Sequence, residues 1–417
     1  MALPRSRPIP SSARNVATAT SGRGAGSVLS EKERGRRTLL LRVIAVGITI
    51  LSVWMVVRGI HLEWFVNFHT QDLGIRFREY QWFARGVYPN PALIPPPIPP
   101  GVPFTVYPPY AMPMLALFFP GEGMIEGTAM LQAMSLAALV VMGVFGWRSL
   151  RFAGVEMAWI AAFAAGAMAG TSNVFNLGQF SIICTALVVL EIMFLQQRRA
   201  TEAGVAWALS MLKPQNSLGF AALFCVRRQW QGGVVGGAVL LGLSLAACAW
   251  TGVSAGAMLE HWVFRIPAAM GAQSSLFGQS LAALGLPRAA GTYVAMTILM
   301  AGGITAAVIL HRNSHRFSFL GLAGVCAVPM RVLLYHRFYD NIMLFPTLVA
   351  LMVLAARRPD LPARLVLAGV AVSLLAPQRL LECHWSLLVL QIVVWLGAAG
   401  YLAWMEFTGR ARLDPEC

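Results

Sequence analysis

The first long apolar stretch, "TLLLRVIAVGITILSVWMVVRGI" at residues 38–60, decides the fold class. Its only charged side chains, Arg42 and Arg58, lie near its two ends. A helix of about 20 mainly apolar residues matches the hydrocarbon thickness of a bilayer. The stretch therefore predicts a helix that spans a membrane.

The rest of the chain repeats this pattern. Of its 417 residues, 57% are hydrophobic and 12% are charged, and the mean hydropathy is +0.65. A soluble domain would have to bury all of this apolar surface in one core, whereas the runs here have the length of a bilayer crossing. Further runs lie at 125–147, 154–171, 180–195, 232–252, 291–310, 318–334, 341–356, 363–380 and 385–406. We predict an all-α polytopic membrane protein with about 10–13 transmembrane helices and extracytoplasmic loop helices.

The basic residues indicate how the chain is oriented. The net charge of +15 comes from short clusters between apolar runs and from the N-terminal region, not from a basic stripe, so no nucleic-acid partner is expected. Residues 1–37 predict a disordered basic cytoplasmic tail, residues 38–406 the transmembrane domain, and residues 407–417 a cytoplasmic C-terminal tail. Keeping the arginine clusters inside gives a multi-pass cell-membrane protein with both termini in the cytoplasm.

Two stretches are too short for simple crossings. Residues 107–123, "YPPYAMPMLALFFPGEG", predict a re-entrant or interfacial element within the first outer loop, residues 61–124. The segments 204–212 and 217–225 flank "KPQN" at 213–216, and arginine pairs stand outside both segments. Because both arginine pairs should be cytoplasmic, the chain must cross and return, with "KPQN" at the outer turn.

Four polar stretches then share the outer face. They are "NFHTQDLGIRFREYQWFARGVYP" (67–89), "NVFNLGQFS" (173–181), "KPQN" and "MRVLLYHRFYDN" (330–341). Ionisable groups are expensive at membrane depth, so their gathering on one side suggests a shared site. Ordinary loop residues and snorkelling cations are the alternative explanation.

A carboxylate beside cations and aromatics suits a sugar carried on a lipid phosphate. An inverting transfer needs one general base for the acceptor hydroxyl, and fixed cations can stabilise the leaving phosphate. Asp72 is the candidate base, Glu63 and Glu79 are weaker candidates, and Asp72 could instead cap a helix. The six cysteines stand singly and no outer acidic pair suits a metal, so we expect neither a metal nor a cofactor.

Several cations are available to hold the donor phosphate. These candidates are Arg76, Arg78, Lys213, Arg331, His336 and Arg337. Lys213 draws attention because the chain has only one other lysine, and Arg78 with Glu79 could form a surface pair of little energetic value. Asp340 either orients one of the cations or caps a helix. Aromatic residues such as Tyr88, Tyr107, Tyr335 and Tyr339 more often anchor a membrane protein than stack on a sugar.

The order of these motifs resembles glycosyltransferase family 87. Asp72 follows the first span, and an aromatic stretch then ends at Gly86 and a Tyr-Pro pair. "YPP", "NLGQ", "KPQ", "SLFGQSL" (275–281) and "YHRFYDN" follow in order, so the resemblance covers roughly residues 40–350. The order within "GVYP" and the cationic "YHRFYD" depart from the family's usual pattern, which leaves the donor sugar and the acceptor open.

The resemblance implies a class-C glycosyltransferase architecture. Members of this family include mannosyltransferases that use polyprenyl-phosphate-mannose and elongate lipid-linked glycans. By this resemblance, the partners are membrane lipid, a polyprenyl-phosphate sugar and a glycan or glycolipid acceptor, Asp72 is the base, and the active site is extracytoplasmic. The expected substrate pocket comprises Glu79, Tyr80, Tyr88, Tyr107, Asn176, Gln179, Gln215, Tyr335 and Asp340.

Two other functions stay open at this point. A transporter or flippase also uses broken helices and charges inside the membrane, although we find no internal repeat and the polar residues gather at one surface. A structural protein of the envelope would need no catalytic Asp. The sequence does not determine the oligomeric state.

Overall fold

The computed structural model describes residues 31–66, 72–94, 96–121, 123–262, 277–278, 281, 285, 288–377, 384–410 and 413. Most of the predicted N-terminal tail, much of the "SLFGQSL" stretch and most of the C-terminal tail lie outside the described residues. The chain divides into two units, residues 1–40 and residues 41–417. The first is described only from Glu31, where a helix begins, and the second holds all the other elements below.

Every regular element among the described residues is helical. The α-helices are α1 (Glu31–His61), α2 (Asp72–Ala84), α3 (Ala111–Leu115), α4 (Met124–Leu150), α5 (Val155–Ala167), α6 (Thr171–Leu177), α7 (Ser181–Gln196), α8 (Ala200–Ser210), α9 (Pro214–Ser217), α10 (Trp230–Thr251), α11 (Ala255–Glu260), α12 (Arg288–Asn313), α13 (Phe319–Leu333), α14 (Phe345–Arg357), α15 (Leu361–Leu375) and α16 (Trp385–Phe407). Tighter or wider turns lie at Leu62–Val66, Pro91–Leu93, Arg151–Ala153, Leu218–Arg228 and Phe338–Leu344.

Seven described helical segments are long and apolar enough to cross a membrane. They are Glu31–Val66, Met124–Ala153, Val155–Leu177, Trp230–Thr251, Tyr293–Asn313, Phe338–Arg357 and Ser386–Phe407. Three shorter apolar helices, α7, α13 and α15, coincide with the remaining predicted runs. The prediction of an all-α polytopic membrane protein is therefore confirmed.

The helices differ in how much of their surface neighbouring helices cover. In the Phe338–Arg357 segment, 89% of the apolar window is buried, whereas in Tyr293–Asn313 only 11% is buried. Exposed apolar faces of this extent are those expected to face lipid, because lipid satisfies them as well as a protein core does. The polar residues of the Phe338–Leu344 turn are thus placed inside the protein.

The predicted broken pair forms as two short arms joined by α9. The Trp207 indole Nε1 donates to the Ser217 carbonyl at 3.1 Å, and the Ser217 hydroxyl donates to the Ser210 carbonyl at 2.9 Å. These bonds satisfy polar groups where the helix breaks, as interrupted helices at membrane depth require. They also fix Lys213 at the start of α9.

The stretch at residues 107–123 does not form a spanning helix. Its described residues form only the five-residue α3, and Ala111, Met112 and Leu115 have no exposed surface. Short or irregular backbone is tolerated at membrane depth where protein surrounds it. The Tyr107 end of this stretch packs near α2, which leads to the candidate site.

Candidate active site

Helix α2 is fixed at both ends, and Asp72 is its first residue. Leu73 is 1% exposed and lies against Gly178, which has a positive φ of 64° and ends α6. A Cβ added to Gly178 would be 2.5 Å from Leu73 Cβ, so only glycine lets α2 approach this closely. At the other end, the Trp250 indole Nε1 donates to the Phe83 carbonyl at 2.6 Å.

The Asp72 carboxylate meets the chain that follows α6. The Gln179 amide Nε2 donates to Asp72 Oδ2 at 2.5 Å, and the Tyr339 hydroxyl lies 3.5 Å from the same oxygen. Asp72 is half-buried, and among the described residues no hydrogen bond reaches its Oδ1. Within the described part of the chain, its contacts are thus with these side chains and not with the N–H groups of α2, as a helix cap would require. One oxygen is anchored, and the other accepts no hydrogen bond from the described residues.

Lys213 lies behind Gln179 in a buried network. Its Nζ donates to Gln179 Oε1 at 3.2 Å, to the Ser181 hydroxyl at 2.9 Å and to Asp340 Oδ1 at 2.5 Å. Ser181 donates in turn to Asp340 Oδ1 at 2.5 Å. Lys213 also lies 4.9 Å from the centre of the Tyr339 ring, a favourable position for a cation. The network joins α7, α9 and the Phe338–Leu344 turn to Asp72.

Asp340 performs both of the roles considered from sequence. Its Oδ1 holds Lys213, while its Oδ2 accepts from the Arg337 backbone N–H at 3.1 Å at the start of the Phe338–Leu344 turn. His336 Nδ1 is 3.4 Å from the same Oδ2. Each oxygen therefore has a partner, as a buried carboxylate needs.

His336 and Arg331 are both buried. The Nε2 of His336 is 3.1 Å from the Met330 carbonyl, which can only accept, so Nε2 carries a proton. Burial lowers the pKa of His336, against an opposing effect of Asp340. Arg331 is also buried, at 2% exposure, with its Nε donating to Asn341 at 2.6 Å and its guanidinium over the Trp395 ring. Neither side chain reaches an exposed surface.

Arg337 is an exposed cation near Asp72. Its Nε donates to the Tyr335 hydroxyl at 2.9 Å, and Tyr335 is half-buried. The pKa of Arg337 is raised, chiefly by this hydrogen bond with Tyr335, and Asp72 acts in the same direction. Arg337 therefore stays fully charged within electrostatic range of Asp72.

A second ion pair lies two turns along α2. Arg76 donates to both oxygens of Glu79, at 2.6 and 2.5 Å, and Glu79 has no exposed surface. Burial raises the pKa of Glu79 to about 7, although Arg76 and a hydrogen bond from Thr105 oppose the shift. The expected surface pair of Arg78 with Glu79 is wrong: Arg78 is exposed and its Nε contacts the Gly74 carbonyl at 3.4 Å.

The predicted aromatic residues line the Arg76 side of the site. The Arg76 guanidinium lies 4.6 Å from the centre of the Tyr107 ring. The buried Tyr88 donates its hydroxyl to the Tyr107 carbonyl at 3.2 Å, and Tyr80 stacks on Phe119 with ring centres 5.4 Å apart. Burial raises the pKa of the Tyr107 phenol, so it remains protonated. Tyr107 thus connects Arg76 to the loop that contains Tyr88.

Three other expected residues lie on α6, on α9 and at the end of the first spanning segment. Asn176 is buried on α6, and Gln215 is half-buried on α9 beside Lys213. Glu63, the weaker candidate base, is 1% exposed at the end of the first spanning segment. Asp72 is therefore the more accessible carboxylate.

Sequence analysis missed two members of the network. Ser181, which bridges Lys213 and Asp340, stands only two residues after Gln179 in "NLGQFS". Tyr339 was interpreted as a membrane anchor, yet it is 5% exposed and packs between Lys213 and Asp72. Its position next to Asp340 was the available signal.

The described residues contain no group of three or more His, Cys, Asp or Glu side chains that could hold a metal ion. The acidic groups near Asp72 are instead paired with cations, Asp340 with Lys213 and Glu79 with Arg76. Among the described residues, the hydrogen-bonding and charged groups near the half-buried Asp72 carboxylate are therefore an amide, a hydroxyl and a guanidinium.

Comparison with known proteins gives one positive result. No curated protein and no solved structure matches the chain. The model of glycosyltransferase family 87 matches residues 104–335, a range that includes Tyr107, Gln179 and Lys213 and ends before Asp340. Because this match covers more than half of the 417 residues, the chain belongs to glycosyltransferase family 87 and is a membrane glycosyltransferase.

Proposed function

We propose that this glycosyltransferase moves a hexose, and in particular mannose, from a polyprenyl-phosphate donor to a hydroxyl of a lipid-linked or envelope glycan, with inversion. One observation carries the proposal: Asp72 is held through Oδ2 by Gln179 and is half-buried, beside the exposed Arg337. A base anchored through one oxygen can present the other to an acceptor hydroxyl.

The proposed step uses no metal. Asp72 Oδ1 takes the proton from the acceptor hydroxyl as that oxygen attacks the anomeric carbon from the face opposite the phosphate. The bond between the anomeric carbon and the phosphate oxygen breaks, and the electron pair leaves with the polyprenyl phosphate. The proton on Asp72 then passes to solvent or to the departing phosphate, which restores the carboxylate.

Developing charge on the leaving phosphate needs fixed cations. Arg337 is exposed and carries N–H groups beyond the one that binds Tyr335, so it is the best-placed direct ligand among the candidates. Arg76 lies half-buried against Tyr107 and can add a second contact, although it must share its N–H groups with Glu79. Arg331 and His336 act from farther inside, since both are buried.

The site's orientation is part of the proposal. Basic residues precede α1 and Asp72 follows it, so the positive-inside rule supports an extracytoplasmic position for Asp72. Tyr80 on α2 and the nearby Tyr107 are half-buried, and they can offer the sugar the parts of their rings that Phe119 and Arg76 do not cover.

The test is a transfer reaction with purified protein. Polyprenyl-phosphate-mannose and polyprenyl-phosphate-glucose, each with a labelled sugar, are incubated separately with a glycolipid extract of bacterial envelopes. We expect a labelled glycolipid from the mannose donor, with the anomeric configuration opposite to that of the donor. Retained configuration refutes the mechanism, and product from glucose alone corrects the donor sugar. Movement of intact donor across proteoliposomes without a new glycosidic bond would instead indicate a flippase.

A further inference from the structure

Lys213 was expected to contact the donor phosphate, but its ammonium group is already saturated. An ammonium has three N–H donors. Gln179 Oε1, Ser181 Oγ and Asp340 Oδ1 accept all three, at 3.2, 2.9 and 2.5 Å. A phosphate oxygen could bind Lys213 only by displacing one of them. The side chain is also 4% exposed, so a donor phosphate would have to enter the protein interior to reach it.

The charge of Lys213 is compensated where it stands. Asp340 is 1% exposed and pairs with it directly, while burial lowers the pKa of the adjacent His336. A buried pair of opposite charges projects little net field toward a third group, in contrast to the exposed Arg337. The geometry therefore gives Lys213 a different task from that of Arg337.

That task follows from the Gln179 amide. The amide has an oxygen at one end and an NH₂ group at the other, and it links two groups with opposite requirements. Lys213 has only donors, so it must meet Oε1, and an ionised Asp72 has only acceptors, so it must meet Nε2. Without Lys213, Oε1 would lose the donor that anchors it, and the amide would be free to move away from Asp72.

We propose that Lys213 is a positioning residue that acts through Gln179. Asp340 and Ser181 hold Lys213, Lys213 orients the Gln179 amide, and Gln179 holds Asp72 through Oδ2 so that Oδ1 faces the acceptor. The inference rests on the proposed role of Asp72 as base, and it assigns the donor phosphate to Arg337 in place of Lys213.

A double-mutant cycle separates the two roles. Lys213→Met and Gln179→Leu are measured singly and together, for kcat, for the donor KM and for equilibrium binding of the donor. We expect each single change to lower kcat by about 100-fold, because a misplaced base costs about that much. We expect the donor KM and the donor binding constant of each variant to stay within about threefold of the wild-type values. We expect the kcat of the double variant to be no lower than that of the more damaged single variant. Weakened donor binding in Lys213→Met, with losses in kcat/KM that multiply in the double variant, overturns the proposal.

Folding is controlled by a second variant. Lys213→Met leaves Asp340 as a buried unpaired carboxylate, which can unfold the protein, whereas Lys213→Met/Asp340→Asn removes both charges. We expect the paired change to recover thermal stability but not kcat, and recovery of wild-type kcat overturns the proposal. Arg199→Met is the matched control, since it removes the cation of an exposed pair with Glu202 at 2.9 Å, and it should leave kcat unchanged.

A structural readout distinguishes this proposal from the proposed function. A cryo-EM structure of Lys213→Met/Asp340→Asn needs no substrate, and we expect the Gln179 amide to lie beyond hydrogen-bonding distance of Asp72. An unmoved amide at its present 2.5 Å overturns the positioning role even if the wild-type protein transfers no mannose. Conversely, a displaced amide in an enzyme that uses another donor upholds the positioning role and corrects only the donor.

Discussion

Gly178→Ala is expected to disable the site without touching any side chain in it. Gly178 has a φ of 64°, where an alanine costs about 1 kcal/mol, and its new Cβ would be 2.5 Å from Leu73 Cβ. Ordinary carbon contacts begin near 3.4 Å, so α2 must move back by about 1 Å. Because Leu73 follows Asp72 and Gln179 follows Gly178, that movement separates the two hydrogen-bonded groups.

The size of the effect follows from the present geometry. Moving Asp72 back by about 1 Å stretches its 2.5 Å bond to Gln179 to about 3.5 Å, the limit of a hydrogen bond. A displacement of this size at a reacting group costs about 100-fold in rate. We therefore expect kcat to fall by about 100-fold, with a lower melting temperature.

Gly409→Ala separates the conformational cost from the displacement. Gly409 has a φ of 66°, but a Cβ there would meet no atom within 4 Å. The assay is mannosyl transfer at saturating donor, alongside a thermal melt of each variant in the same detergent. We expect the control to lose some stability and to keep wild-type kcat. Wild-type kcat in Gly178→Ala would refute the close packing of Leu73 as the device that places Asp72.

Three further results are expected. Because burial raises the pKa of Glu79 to about 7 from 4.5, the folded protein keeps that proton to a higher pH than the unfolded chain. The melting temperature of the wild type should therefore fall relative to that of Glu79→Gln as pH rises from about 5 to about 7.5, and parallel curves would contradict the shift. Arg337→Gln should raise the donor KM by about tenfold, because the variant loses a charge-assisted contact with the phosphate. The control Arg78→Gln, on the exposed face of α2, should leave the donor KM unchanged. Equal changes in the two variants would show that Arg337 does not bind the phosphate. Transfer should persist in EDTA, and loss of turnover that Mg²⁺ or Mn²⁺ restores would show that a metal takes part.

The membrane fold could be predicted because its main signal is local. A bilayer fixes how many consecutive residues must be apolar, and the runs at 125–147 and 385–406 lie entirely within α4 and α16. The weaker signal at 204–225 was still informative, since arginines on both sides required the chain to return.

Pairing within α2 was predictable in principle but was assigned wrongly. Residues three apart share a helix face, whereas adjacent residues point apart, so Arg76 was the partner to expect for Glu79 instead of Arg78. This pair also contacts Tyr107 and Thr105 from a later loop. The spacing of residues within a helix cannot predict contacts with another segment.

The network behind Asp72 is a property of tertiary structure. Gln179 and Lys213 were named as site residues, but their bonds join segments separated by up to 127 positions along the chain. Sequence could indicate that Lys213 was unusual, as one of two lysines, but not that three acceptors surround its ammonium. The choice of a phosphate ligand among the cations depended on their exposure, because Arg337 is exposed and Arg331 is buried.

Turnover by Asp72→Asn tests the central claim most directly. The substitution keeps the size of the side chain and a possible hydrogen bond with Gln179, but it removes the oxygen that accepts the acceptor's proton. With labelled polyprenyl-phosphate-mannose, we expect kcat to fall by about 100-fold to 10,000-fold, the range associated with loss of a general base, while donor binding stays at the wild-type level. Transfer at close to the wild-type rate by this variant would contradict the assignment of Asp72 as the base.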